Sequence, residues 1–160
     1  MLKINLLIGF LLFSFIFIVP KNSRILKNKT EIITIVGDTI SWKLLGQVKF
    51  VKKPHKEYGE VDFPIINNTL KSLNTKKIYI SGFIVPIDNK NYAISKNVFA
   101  SCFFCGKAGP ETIMGLNFKD NLPKLKTDQY VTIEGTLRLN DTNIDNWMYN
   151  VDNVKIIKGN

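Results

Sequence analysis

Two strand-like runs with a glycine at their middle, KIYISGFIVPI (77–87) and YVTIEGTLRL (130–139), set the fold class. Polar turns are frequent and helical stretches few. Together these observations predict a mainly β domain: a small, partly open β-barrel of OB type with one or two short helices, preceded by an N-terminal apolar helix. A glycine inside a strand marks the kind of sharp bend that closes a barrel. A β-sandwich is the competing architecture.

Ile4 to Val19 is apolar except for Asn5, Gly9 and Ser14. Such a run is short for a spanning helix of about 17–25 residues and long for a signal core of about 7–15. Lys3 supplies a basic start, and Phe17-Ile-Val-Pro20 leads into Lys21 with no small-x-small cleavage pattern. Residues 1–20 therefore read as a signal or anchor segment, with an uncleaved anchor favoured. Residues 21–36 form a basic tether ending in the apolar EIITIV, where a short strand is expected. Lys21, Arg24, Lys27 and Lys29 would hold this side in the cytoplasm by positive-inside bias. A short signal-like segment would instead export the domain attached to it, and both orientations stay open. Residues 37–160 form the barrel domain.

Within that domain, ISWKLLGQVKFVKK (40–53) alternates loosely and predicts a strand near its end. KPHKEYGEVDFP (53–64) carries Pro54, Gly59 and Pro64 as breakers and predicts a loop. Ile65 to Leu73 predicts a short helix with Ile66, Leu70 and Leu73 on one face. Lys77 to Ile87 and Tyr92 to Ser95 predict a hairpin around the turn at Asp88–Asn91. Gly109-Pro110-Glu111 resembles a helix start, so PETIMGL (110–116) predicts one or two helical turns. In YVTIEGTLRL, Val131, Ile133, Leu137 and Leu139 face inward, and Thr132, Glu134, Thr136 and Arg138 face outward. Asn140 to Asn146 predicts a turn and Tyr149 to Ile157 a closing strand. Trp42, Gly82, Pro86, Asp88 and Gly135 are assigned to the fold rather than to a site.

Composition narrows the function classes. A hydrophobic share of 45% is enough for a core and argues against disorder. The net charge of +9 points to anionic partners, either lipid headgroups or nucleic acid. Lys49, Lys52, Lys53 and Lys56 beside Phe50 and Tyr58 would suit a single-stranded nucleic acid on an OB barrel. An aromatic near lysines on a strand is more often core beside solvated charge, and an exported domain does not meet nucleic acid routinely. No phosphate-cradling glycine loop or dinucleotide fingerprint occurs. Asp141 and Asp145 in NDTNIDN lack the central glycine and terminal glutamate of a calcium loop and read as a turn.

The chemistry-bearing stretch is ASCFFCGKAGPE (100–111), which holds both cysteines. A C-x-x-C pair can offer two thiolates to one soft ion, zinc or copper(I). A structural zinc wants four ligands, and the candidates are Cys102, Cys105, His55 and Glu111. Alternatively, the pair forms a disulfide or a thiol-redox couple, although no βαβ context accompanies it. The plain reading is two half-buried thiols flanking Phe103 and Phe104, which plug the barrel end. Nucleophilic catalysis by Cys102 with His55 as base would need an orienting third group, so a non-catalytic role is expected.

Ser41, Trp42 and Leu45, then Ser81, Gly82, Val85, Pro86 and Asp88, then Cys102 form a pattern. It resembles that of a bacterial family of uncharacterised secreted or membrane-anchored proteins, over roughly residues 40–116. The family pattern is Ser-Trp-x-x-Leu, Ser-Gly-x-x-Val-Pro-Leu-Asp and a cysteine loop rich in proline. The resemblance implies an OB-type fold and an accessory role at the cell envelope beside transporter and metal-uptake components. The family's histidine two residues after the loop cysteine is Phe104 here, with Cys105 next, and the proline run is reduced to Pro110. The expectation is therefore a membrane-anchored, envelope-facing accessory domain that binds a soft metal through Cys102 and Cys105. A thiol-redox module and a nucleic-acid binder are the alternatives.

Overall fold

The computed structural model describes residues 38–119 and 123–159. The anchor segment and tether expected for residues 1–36 lie outside the described residues. The elements run β1 (Asp38–Thr39), α1 (Trp42–Leu45), β2 (Lys49–His55), β3 (Gly59–Ile65), α2 (Asn68–Leu73), β4 (Lys77–Pro86), β5 (Tyr92–Ser95), β6 (Ile113–Phe118), β7 (Tyr130–Leu139) and β8 (Tyr149–Gly159). Three single 3₁₀ turns, Phe99–Ser101, Phe103–Cys105 and Pro110–Thr112, connect β5 to β6. Among the described residues no helix is long and apolar enough to cross a membrane.

The barrel strands are ordered β4-β5-β6-β8-β7, and β7 pairs back onto β4. The barrel is thus closed rather than partly open. Its β6–β8 seam is parallel, and the other barrel seams are antiparallel. This is the Greek-key order of an OB barrel. β1 adds a short parallel pairing to β4 at Ile78 and Tyr79.

Alternation along each strand fills the interior. Ile78, Ile80 and Ile84 of β4, Ile94 of β5, Met114 of β6, and Val131, Ile133 and Leu137 of β7 form the core with Tyr149 and Val151 of β8. On β8 the inward parity then changes, from Tyr149 and Val151 to Val154. The change falls at a bulge, where the β7–β8 register shifts between Glu134 and Thr136. Asn153 takes the extra position with φ 55°, a left-handed conformation that asparagine tolerates. Gly135 stands opposite, as expected for a bend.

The short α1 turn closes one side of the core. Ser41 caps it, its Oγ accepting from the Leu44 N–H at 3.2 Å. Leu45 is fully buried among the barrel residues, and the Tyr149 hydroxyl donates to its carbonyl at 2.8 Å. Burial therefore holds the Tyr149 hydroxyl well above the usual tyrosine range, with the Glu111 charge adding to the effect. The Trp42 indole N–H donates to the Ser81 carbonyl at 2.8 Å. Ser-Trp-x-x-Leu and Ser-Gly thus meet in space: one caps, covers and fills, and the other receives the indole.

The strand expected near the end of residues 40–53 is the start of β2 at Lys49. Before it, a turn of helix that the loose alternation does not reveal occupies Trp42–Leu45, capped by Ser41. Two expectations are corrected. KPHKEYGEVDFP is not a loop: Lys49–Ile65 forms the β2–β3 hairpin, turning through Lys56–Tyr58 into Gly59, which opens β3 with φ 73°. A two-stranded ribbon has only edge strands, so Pro54 and Pro64 are tolerated. PETIMGL holds only the Pro110–Thr112 turn, and Ile113 begins β6. A short run that is apolar on both faces does not reveal its period. β4, β5, β7 and β8 stand where they were expected, and α2 occupies Asn68–Leu73 of the expected 65–73, with Leu70 buried; β1 was not expected.

Two polar ties stitch the outer surface. Arg138 donates to Asp152 at 2.7 Å across β7–β8, and the Asn117 amide of β6 donates to the same carboxylate at 2.7 Å. On the β4–β7 seam, the Tyr79 hydroxyl donates to Glu134 at 2.8 Å and Lys77 donates at 3.1 Å. Arg138 foremost, then Asn117, holds the Asp152 carboxyl below the usual range against partial burial. A carboxylate depressed in the folded state adds stability above its unfolded pKa and loses it as pH falls through the folded value. Denaturant melts should show stability declining below about pH 4. Asp152→Asn should remove up to about 1 kcal/mol at neutral pH and flatten that decline. An unchanged acid limb in the variant would contradict the assignment.

Candidate functional site: an aromatic groove beside the cysteine loop

Between β5 and β6 the chain makes successive 3₁₀ turns; Cys102 links the first two and Cys105 ends the second. The first turn is anchored by Asp128, whose carboxylate accepts from the Phe99 N–H at 2.7 Å. The Phe99 carbonyl in turn accepts from the Cys102 N–H and, at 3.2 Å, from the Cys105 thiol. The Cys105 N–H donates to the Cys102 carbonyl at 3.2 Å, and Gly106, with φ 67°, ends the turn. Cys102 is fully buried, Cys105 is exposed, and both are free thiols.

The four residues considered as a zinc set are not gathered. His55 ends β2 on the hairpin, where its ring stacks on Tyr58 and its Nδ1 accepts from the Glu57 N–H. Glu111 sits in the third 3₁₀ turn. Among the described residues, no group of three or more His, Cys, Asp or Glu side chains could hold a metal ion. Phe103 and Phe104 do not plug the barrel either. They remain exposed, while Leu45 and Leu70 are fully buried in the core.

The two phenylalanines instead join a surface aromatic chain. Phe103 packs edge-on to Phe104, and Phe104 edge-on to Trp147 at 5.8 Å between centroids. Trp147 comes from the loop between β7 and β8. It packs against the second buried cluster, formed by Val85, Ala93 and Ile113. It also lies so close over Gly115 that any side chain there would collide with its ring. The outer face of β5 and β6 is thus covered by the chain's own tryptophan. In OB barrels that second- and third-strand face is a common ligand platform.

A groove of about 440 Å³ opens beside this aromatic chain. That size is within the range of ligand pockets, about 300–1,000 Å³. One wall is the hairpin, with Phe50, Phe63 and Pro64; the other is Phe103 together with the 140–148 loop. Its charged lining is acidic only, from Asp62, Asp141 and Asp145. The hairpin lysines do not line it, and Lys53 rests its ammonium 5.1 Å from the Phe63 ring centre. Asn140 shapes the loop: its amide donates to the Asn143, Asn146 and Trp147 carbonyls. The polar lining contains carboxylates, amides and a threonine hydroxyl, with no His, Cys or Lys.

The groove has no counterpart among the sequence expectations. NDTNIDN reads as a turn and Phe50 as a strand residue, but the elements that bring them together are distant in sequence. Asp88 accepts from the Lys90 and Asn91 N–H groups at 2.7 and 2.8 Å and fixes the β4–β5 turn. The Asn91 side chain foremost holds its carboxyl below the usual range. Pro86 ends β4 opposite Tyr92.

Fold and site together define a small, closed five-stranded β-barrel domain with a hairpin arm. No family model, curated protein or solved structure matches the chain.

Proposed function

We propose that this is a non-catalytic binding domain, membrane-anchored and envelope-facing, that holds an extended basic segment of a partner protein in the aromatic groove. The observation that carries this reading is the groove itself, with aromatic walls and an acidic lining on a chain of net charge +9. Aromatic and proline surfaces suit an extended peptide, and the carboxylates suit Lys or Arg side chains. The same carboxylates disfavour nucleic-acid phosphates, and Trp147 already occupies the usual OB platform. The apolar run at Ile4–Val19 supports the anchor. The resemblance at Ser81–Asp88 and Cys102 supports a partner in an envelope transport system.

Fluorescence anisotropy on the full chain in detergent micelles tests this. A labelled Lys/Arg-rich peptide should bind in a salt-sensitive manner, and a Glu-rich peptide should not. Asp141→Asn with Asp145→Asn should weaken binding by roughly 3- to 10-fold, as for partly exposed ion pairs. Preference for a labelled single-stranded oligonucleotide, or peptide binding indifferent to both substitutions, would sink the proposal.

A further inference from the structure

The two thiols differ in exposure but share one turn, and that arrangement has a chemistry of its own. The Cys105 N–H···O=C Cys102 bond makes residues 102–105 a single i→i+3 turn. The Cα atoms of such a turn lie within about 7 Å. Disulfides span about 4.4–6.8 Å between Cα atoms, so the turn holds the two residues within bonding span once the Cys105 side chain swings toward Cys102. The Cys105 thiol now donates to the Phe99 carbonyl, a weak sulfur donor bond that a rotamer change releases. Cys102 is buried beneath the turn and out of reach of an external reagent.

From this geometry we infer that Cys102 and Cys105 form a reversible disulfide by exchange with a disulfide of another molecule. Cys105, as its thiolate, attacks one sulfur of the incoming disulfide. That S–S bond breaks and the first thiolate leaves. A mixed disulfide then joins Cys105 to the reagent. Cys102 gives up its proton and attacks the Cys105 sulfur, and the second thiolate leaves. Two protein thiols are oxidised to one disulfide, and the reagent disulfide is reduced to two thiols that take up the two protons. The residues enclosed by the bond are Phe103, which lines the groove, and Phe104, which packs on Trp147. Closing the bond fixes the turn that presents them. This last consequence rests on the groove being the binding site, whereas bond formation does not.

The test equilibrates the full chain in detergent with oxidised glutathione and tracks intact mass and free thiols. The wild type should lose two hydrogens, retain no free thiol and carry no glutathione, and dithiothreitol should reverse the change. Cys102→Ser should stop at a stable glutathione adduct on Cys105. Cys105→Ser should leave Cys102 unmodified in the folded chain, and this exposed substitution keeps the test open if Cys102→Ser does not fold. A wild type that halts as the Cys105 adduct with Cys102 free, or thiols that do not react at all, overturns the inference. So does glutathione uptake by Cys105→Ser as fast as by wild type. Peptide anisotropy on the oxidised and reduced forms separates the two readings: a disulfide that forms without peptide binding in either state refutes the groove and leaves the exchange site standing.

Discussion

Leu45→Ala is expected to destabilise the domain by about 3 kcal/mol, among the largest effects of a single substitution here. Leu45 is fully buried from a four-residue helix that has little stability of its own. Truncation leaves a void against the barrel core and also weakens the seat of α1. The Tyr149 hydroxyl donates to the Leu45 carbonyl, so loosening α1 exposes a second buried polar group to loss of its partner. Urea melts monitored by far-UV circular dichroism measure the cost. A loss below about 1 kcal/mol would mean that α1 is not part of the cooperative core.

Gly82→Ala should cost about 2–3 kcal/mol, at the upper end for added bulk in a packed site. A Cβ at this position would stand 2.6 Å from the Ser95 carbonyl oxygen, 2.9 Å from Ile94 Cγ1 and 3.2 Å from Trp42 Cζ2. The nearest obstacle is backbone of the paired strand, which cannot turn aside. Adding Trp42→Phe should therefore give no rescue. Recovery of stability in the double variant would show that the indole, rather than the strand, sets the glycine requirement.

Much of the barrel is legible in the sequence because its strands obey a period of two. YVTIEGTLRL alternates plainly, and Gly135 marks an irregularity in the β7–β8 pairing, whereas Gly82 admits the close approach of β5 and Trp42. The features that escape are either very local or wholly non-local. Ser41 is a one-residue capping signal, too small to outweigh the apparent alternation around it. Ile113–Leu116 is buried on both faces, toward the core and toward Trp147, so this half of the strand carries no polar side. Prolines that would break an inner strand but not an edge hide the hairpin. The groove is invisible in the sequence, because Phe50, Phe103 and Trp147 are brought together only by tertiary packing. The cysteine pair stands out as the chemical feature, but spacing alone does not reveal that one thiol is buried and the other exposed.

The closed strand order also bears on how quickly the domain assembles. Lys77 meets Glu134 across the closing seam although the two are 57 positions apart in sequence. β8 must seat itself between β6 and β7, and of the barrel strands it leaves the ribosome last. Pairings of this kind demand costly loop closure before they return any contact energy, and such topologies fold on millisecond-to-second timescales. Until β8 arrives, β6 and β7 each present an unpaired edge. A nascent chain held in that state is open to pairing with another strand, so a holding chaperone or slow emergence would favour correct closure.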